Sequence, residues 1–283
     1  MSVTGGIKFF EGIYNLLKDG ASVVASSGTA RADFILGRNP LVLWKSDTGS
    51  DVTTETLTIT LPAAVTVDRV FLRNHNFKNY TIKYDDDTSG GFSDFSSVVG
   101  INGTTYGGGI AETTFAYDTS YYEVAPVTVR RLQIVVNTTQ VVNAKKILGQ
   151  VILTEEIATL SGYPSAKPAL DRNKRTSRTV GGRTNITRGL DTFEAMIRFQ
   201  NYPTRDEYLA DVEAAFALNY RDTPFLVWPC GGRTGSNYFK HTSPGWELRD
   251  IALVNVTNEL SSEYQRNIYI NGVDFDLRLE EEP

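Results

Sequence analysis

The chain has 283 residues, long for one domain and comfortable for two. With 41% hydrophobic and 22% charged residues it reads as neither a disordered tail nor a membrane-embedded chain. Twenty-eight Lys+Arg against 33 Asp+Glu leave a net charge of −5, which argues against nucleic-acid binding by the whole chain, and a single cysteine excludes a disulfide framework or a multi-cysteine zinc site.

Residues 7–19 space Phe10, Ile13, Tyr14 and Leu17 by three and four, which suits a short helix or a strand with a turn. Leu41–Trp44 reads as a short apolar strand. From Thr54 to Leu61, Leu57, Ile59 and Leu61 alternate with Thr56, Thr58 and Thr60, so a half-buried strand is predicted. Val65–Leu72, Tyr80–Tyr84, Val127–Val136 and Lys146–Thr154 add further strands, separated by Asp-, Ser- and Gly-rich loops. About eight short strands with turn signals between them predict a β-sandwich or jelly roll over residues 1–155.

Residues 156–191 differ. Arg172, Lys174, Arg175, Arg178, Arg183 and Arg188 fall in a stretch without an acidic residue, read as a basic linker or extended arm at a domain boundary. Such an arm gains order by lying on another surface, and a contact between copies is the preferred reading. Residues 192–283 predict a smaller α+β domain. Phe193–Phe199 alternates as a strand; Pro203, Thr204 and Glu207 mark the start of a helix that buries Tyr208, Val212 and Phe216. Phe225–Trp228, Trp246–Thr257 and Ile268–Leu279 read as strands. The N-terminus shows no signal peptide, so the expected place of synthesis is a cytoplasm.

Few residues suggest chemistry. Cys230 has His241 eleven positions on, but no nucleophile-elbow pattern surrounds it, and a small buried thiol is the simpler reading. His75 follows an apolar strand and reads as a hydrogen-bonded structural residue before a catalytic base. Asp85-Asp86-Asp87 with Gly90 hints at calcium, yet the spacing does not match an EF-hand, and a solvated acidic turn is preferred. No catalytic group, cofactor or metal is therefore expected. Phe92, Phe95, Tyr106, Tyr121 and Tyr122 are the candidates for stacking on a sugar ring if they are exposed, and ordinary sandwich packing is the preferred reading of them.

Two resemblances bear on function. Leu16–Ala21, Ala25-Ser26-Ser27, Ile35–Pro40, Trp44 and Val67–Arg73 resemble the opening of discoidin-like, galactose-binding-like jelly rolls, over roughly residues 14–153. That resemblance implies a module that binds sugar or calcium, or one that makes only protein contacts. Phe193–Phe199, Thr204–Tyr220 and Pro224–Pro229 are similar to the strand, helix and Pro-Phe strand of distal-tail and minor tail proteins of long-tailed bacteriophages. The order of the two parts is the reverse of the usual distal-tail arrangement. The second resemblance implies a non-enzymatic baseplate-ring or hub subunit, oligomeric, bound to other tail proteins and located in the virion tail. A host-surface glycan is the alternative partner; specific nucleic-acid binding and membrane insertion are not expected.

Overall fold

Alternation of apolar and hydroxyl side chains dictates the central strands. In the chain, a computed structural model, the described residues are 7–11, 20–37, 41–88, 90–100 and 105–160, with strands at 163–164, 174–178, 184–188, 194–199, 225–228, 252–256 and 275–281. In chain order the strands are β1 (Ile7–Glu11), β2 (Ser22–Ala25), β3 (Trp44–Gly49), β4 (Glu55–His75), β5 (Phe77–Asp85), β6 (Ser93–Asp94), β7 (Val99–Gly100), β8 (Ile110–Glu112), β9 (Thr119–Thr139) and β10 (Lys145–Leu160). They continue as β11 (Tyr163–Pro164), β12 (Lys174–Arg178), β13 (Thr184–Arg188), β14 (Glu194–Phe199), β15 (Phe225–Trp228), β16 (Ala252–Val256) and β17 (Phe275–Glu281). The protein is mainly β, as its sequence predicts. Two compact units are present: one holds Phe10–Glu156, the other Met1–Phe9, Ile157–Arg233 and Ile251–Pro283.

The first unit is a β-sandwich threaded by two long strands. In β4 the residues Leu57, Ile59 and Leu61 are buried while the threonines between them are half-buried, as period 2 requires. Strand β4 does not stop there. It continues to His75, joining two strands that the sequence pattern separates. Its first half pairs with β2 and with the end of β9, from Glu55↔Val136 to Thr60↔Arg131. Its second half pairs with the start of β9, from Arg69↔Glu123 to Arg73↔Thr119, and with β10. The register shifts between Thr60 and Val65 and between Val67 and Arg69. Pro62 lies in the first gap and Pro126 opposite the second. Proline cannot donate to a ladder and is tolerated where pairing breaks, so both strands turn a corner there. One layer is then β2–β4–β9–β5 with β8 and β6 beyond; the other is β3–β10–β4–β9–β7.

Leu57, Ile59, Val70, Leu72, Phe77, Ile82, Leu132, Ile134, Leu148 and Val151 fill the space between the layers. Burying each side chain of this size contributes about 1.5–3 kcal/mol. On the other face of the second layer Phe71 packs edge-on against Phe10 at 5.3 Å and tilted against Tyr121 at 4.9 Å. Leu41 and Val42, read as strand residues, are exposed instead, and the strand begins at Trp44.

In the second unit β11, β14, β17, β16 and β15 pair in that order, all antiparallel. Phe225, Leu226 and Val227 are buried, and Phe225 packs 6.1 Å from Phe9. The basic stretch forms a β12–β13 hairpin, a two-stranded sheet of its own. The helix expected over 204–220 lies outside the described residues.

Ser26, Ser27 and Gly28 show how a short motif closes one end of the sandwich. The Ser26 amide donates to Thr56 O at 2.9 Å and the Thr56 amide to Ser26 Oγ at 2.9 Å, while Ser26 Oγ–H donates to the buried Glu55. Trp44 Nε1 donates to Ser27 O at 3.1 Å. Gly28 has φ +62°, and a Cβ there would sit 2.0 Å from Lys45 O and 2.9 Å from Trp44 Nε1. Gly28→Ala therefore combines left-handed strain with a backbone clash and is expected to cost about 2–4 kcal/mol in urea unfolding. Gly91→Ala, with nothing within 4 Å of its Cβ position, is the control and should stay within about 0.5 kcal/mol of the parent.

Candidate contact surfaces

The five aromatics proposed to stack on sugar do not form an exposed platform. Phe95, Tyr121 and Tyr122 are 1%, 4% and 1% exposed, so these three are packed in the sandwich and are not free to stack on a sugar. The physical reason is that β9 is covered on both faces, so the neighbours Tyr121 and Tyr122 are both interior although they point opposite ways. Tyr106 is partly buried, and its ring takes the space a side chain at Gly100 would need. Phe92 is half-buried, and the Arg131 guanidinium lies 5.6 Å from its ring centre in a cation–π contact.

The phenols are tied to a carboxylate. Tyr80 and Tyr122 share a 2.6 Å hydrogen bond, Tyr122 Oη–H donates to Glu112 Oε1 at 2.9 Å, and Tyr106 Oη–H donates to the same oxygen. Burial raises the pKa of all three phenols, so they stay protonated donors and acceptors. The network consumes its own polar groups and holds β5, β8 and β9 in register.

The acidic turn is not a solvated run of carboxylates. Asp85 is 1% exposed; it accepts from Arg131 and, at 2.7 Å, from the Asp87 amide. Asp86 accepts from the Thr88 amide and hydroxyl at 2.9 and 2.7 Å. Arginine occupies the role that calcium was considered for, and no group of three or more metal-ligating side chains occurs among the described residues. A second charged group gathers Asp68, Glu123 and Glu156 around Arg69, at 3.1, 4.0 and 2.5 Å. Burial raises the Asp68 pKa, against the opposing pull of Arg69.

At one end of the sandwich, two loops form a rigid tip. Asp51 accepts from the Thr139 and Asn143 amides at 3.1 and 3.0 Å, and its own amide donates to Asn143 Oδ1 at 3.1 Å. Those amides hold the Asp51 pKa below the ordinary aspartate value. Buried Lys146 donates to Ser50 O and Thr53 O at 2.7 and 2.8 Å. On this scaffold Val52, Val141 and Val142 stand out at 95%, 70% and 74% exposure. No periodic pattern announces them, because each lies in a loop.

Of the basic residues, Lys174, Arg175 and Arg178 lie on β12 and Arg188 on β13, while Arg172 and Arg183 lie outside the described residues. Lys174 is registered directly opposite Arg188. Cys230 and His241 also lie outside the described residues.

His75 is a core residue. It is 2% exposed, stacks against Phe115 at 5.4 Å, and accepts from the Phe77 amide at Nδ1, 3.2 Å. Its Nε2 has no partner among the described residues. Burial lowers its pKa from 6.5 to about 3. The neutral form is thus favoured in the folded chain, and the stability this gives is complete above pH 6.5 and lost as pH falls from 6.5 toward 3. Urea unfolding across that range should show the parent losing roughly 3–5 kcal/mol more than His75→Phe. Equal slopes for the two proteins would rule the coupling out.

No family model matches the chain, and no curated protein matches it. Solved structures similar to half of the chain include chitosan-binding module 1 from a chitosanase/glucanase of Paenibacillus sp. IK-5: 18% identity, 50% of this chain, 98% of that one, TM-score 0.39. The GH29 fucosidase E1_10125 of Ruminococcus gnavus is 17% identical over 48% of this chain and 25% of its own, with a TM-score of 0.35. CpGH89CBM32-6 of Clostridium perfringens is 13% identical over 50% of this chain and 96% of its own, with a TM-score of 0.36.

Proposed function

We propose that this chain is a non-enzymatic structural subunit that works through protein–protein contacts, as a building block of a long-tailed phage tail. The observation that carries the reading is the β12–β13 hairpin: two five-residue strands, four cations, no acid, and no third strand beside them among the described residues. A lone two-stranded sheet is marginal in water, so it is completed by lying on another protein surface. The rigid valine tip supports the same reading, since apolar side chains held out on fixed loops are surfaces for contact. The sequence likeness to distal-tail and minor tail proteins supplies the setting: a ring or hub at the tail end, reached after assembly in a bacterial cytoplasm. Size measurement of the full chain, alone and mixed with tail proteins of the same phage, should show an oligomer or incorporation into a particle. A strict monomer that joins no particle would refute the proposal.

A second reading is a glycan-contacting module. It is favoured by Phe92, which keeps part of its ring accessible beside Arg131 and the Asp85–Asp87 turn. An aromatic face next to charged hydrogen-bonding groups suits a sugar ring. On a glycan array this reading expects a signal that Phe92→Ala reduces at least tenfold; an array without signal removes it.

A further inference from the structure

The register of the first layer gives it two unlike faces. Leu57, Ile134, Ile82 and Ile110 stand opposite one another across β4, β9, β5 and β8, and all four are buried. Successive side chains on a strand alternate, so the residues between them point away from the core. One such row runs Val24↔Thr58↔Gln133↔Lys83↔Asp94 over β2, β4, β9, β5 and β6. Its two ends are exposed and its middle is half-exposed. Ser22, Thr60 and Arg131 are aligned on one side of it, and Thr56, Val135 and Thr81 on the other. The row crosses four strand spacings of about 4.8 Å, or about 19 Å in all.

The chemistry of this face selects its occupant. Lys83 is 3.2 Å from Asp94, and Arg131 is bonded to Asp85 and lies 3.7 Å from Asp87. The two cations in these rows are therefore already answered by acids, which does not suit a phosphate backbone that needs them free. Val24 and Val135 are the largest apolar side chains in the rows, too little for the apolar and aromatic core of a protein interface. Hydrogen-bonding capacity is what the face has to offer. The hydroxyls of Thr58, Thr60 and Thr81 and the amide of Gln133 have no partner among the described residues. Hydroxyls and amides both donate and accept, as the hydroxyls of a sugar do. Beside Arg131, the half-exposed ring of Phe92 adds an apolar surface for one sugar ring.

We propose that the outer face of β2–β4–β9–β5 binds a neutral polysaccharide laid across the strands, its hydroxyls on Thr58, Thr60 and Gln133 and one ring against Phe92. The length of the row calls for a run of sugar units, and its paired ions call for an uncharged ligand. This inference rests on the glycan-contacting reading and names the surface and the class of glycan.

The test uses the full-length protein and electrophoresis through gels that each hold one soluble polysaccharide: a neutral glucan, galactan or mannan, with alginate as the anionic counterpart. At least one neutral polymer should retard the parent, and equally so from about 50 to about 500 mM salt, because the ions of the face are already paired. An oligosaccharide of that polymer should compete at least tenfold better than its monosaccharide. Thr58→Ala with Gln133→Ala should weaken retardation about tenfold, as the loss of two hydrogen bonds predicts. Thr128→Ala, on β9 beyond the corner, should leave it unchanged. Where the double variant does not fold by circular dichroism, Gln133→Ala alone replaces it and should weaken retardation about threefold. Retardation that Phe92→Ala abolishes and the Thr58/Gln133 pair leaves intact overturns this face and leaves the glycan reading standing. A monosaccharide as effective as its oligomer overturns the extended ligand, and retardation by alginate alone overturns the neutral one. A parent that no polysaccharide retards overturns both this site and the glycan reading, and self-association lost in the double variant would then assign the face to a second copy.

Discussion

The pairing of β4 with β9 is the constraint on which the first unit depends. These two strands of 21 residues each face one another from Glu55↔Val136 to Arg73↔Thr119. Because both pass through the two layers, one register decides the alignment of the whole sandwich. Strand β2 takes its position from the first half of β4, and β10 from the second half. A slip of one residue would turn Leu57, Ile59 and Leu61 outward and bring threonines into the core, so the hydrophobic pattern locks the register. The corner between the halves is where the ladder is interrupted, and Pro62 and Pro126 sit there at no cost in hydrogen bonds.

Many polar groups inside and around this sandwich are joined in hydrogen-bonded sets. Tyr80, Tyr122, Tyr106 and Glu112 form one closed set, Asp85 and Arg131 another, and Asp51, Thr139 and Asn143 a third. Each set joins segments far apart in the chain: Arg131 reaches Asp85 across 46 positions, and Asn143 reaches Asp51 across 92. A carboxylate held by an arginine or by backbone amides is fixed in charge and in place. Such groups build a scaffold, and Val52, Val141 and Val142 are among the apolar side chains it displays outward.

How much of this was legible in the sequence depends on the range of the interaction. The strand at 54–61 was readable because period 2 is a local signal, and the mainly-β class followed from many such signals. The continuity of β4 was not, because Pro62 and the Ala63-Ala64 pair that follows it look like an end when the corner they form needs β9 to be seen. The aromatics are ambiguous in the sequence for a related reason. Phe95, Tyr121 and Tyr122 carry no mark that tells a loop or edge residue from one covered on both faces, and covering is a property of the partner strands. The Asp85–Asp87 run looks solvated in the sequence because the partner of Asp85, Arg131, belongs to another strand. Only the basic stretch was visible as unusual, and even there the pairing of Lys174 with Arg188 required the hairpin register.

That pairing decides how the charge distribution should be understood. At the spacing of opposed strand residues, two like charges in water repel by roughly 1 kcal/mol. Such a sum is small against a sandwich with a filled core and large against a two-stranded hairpin, whose intrinsic stability is near zero. The hairpin is thus the element of the fold least able to absorb the repulsion it carries.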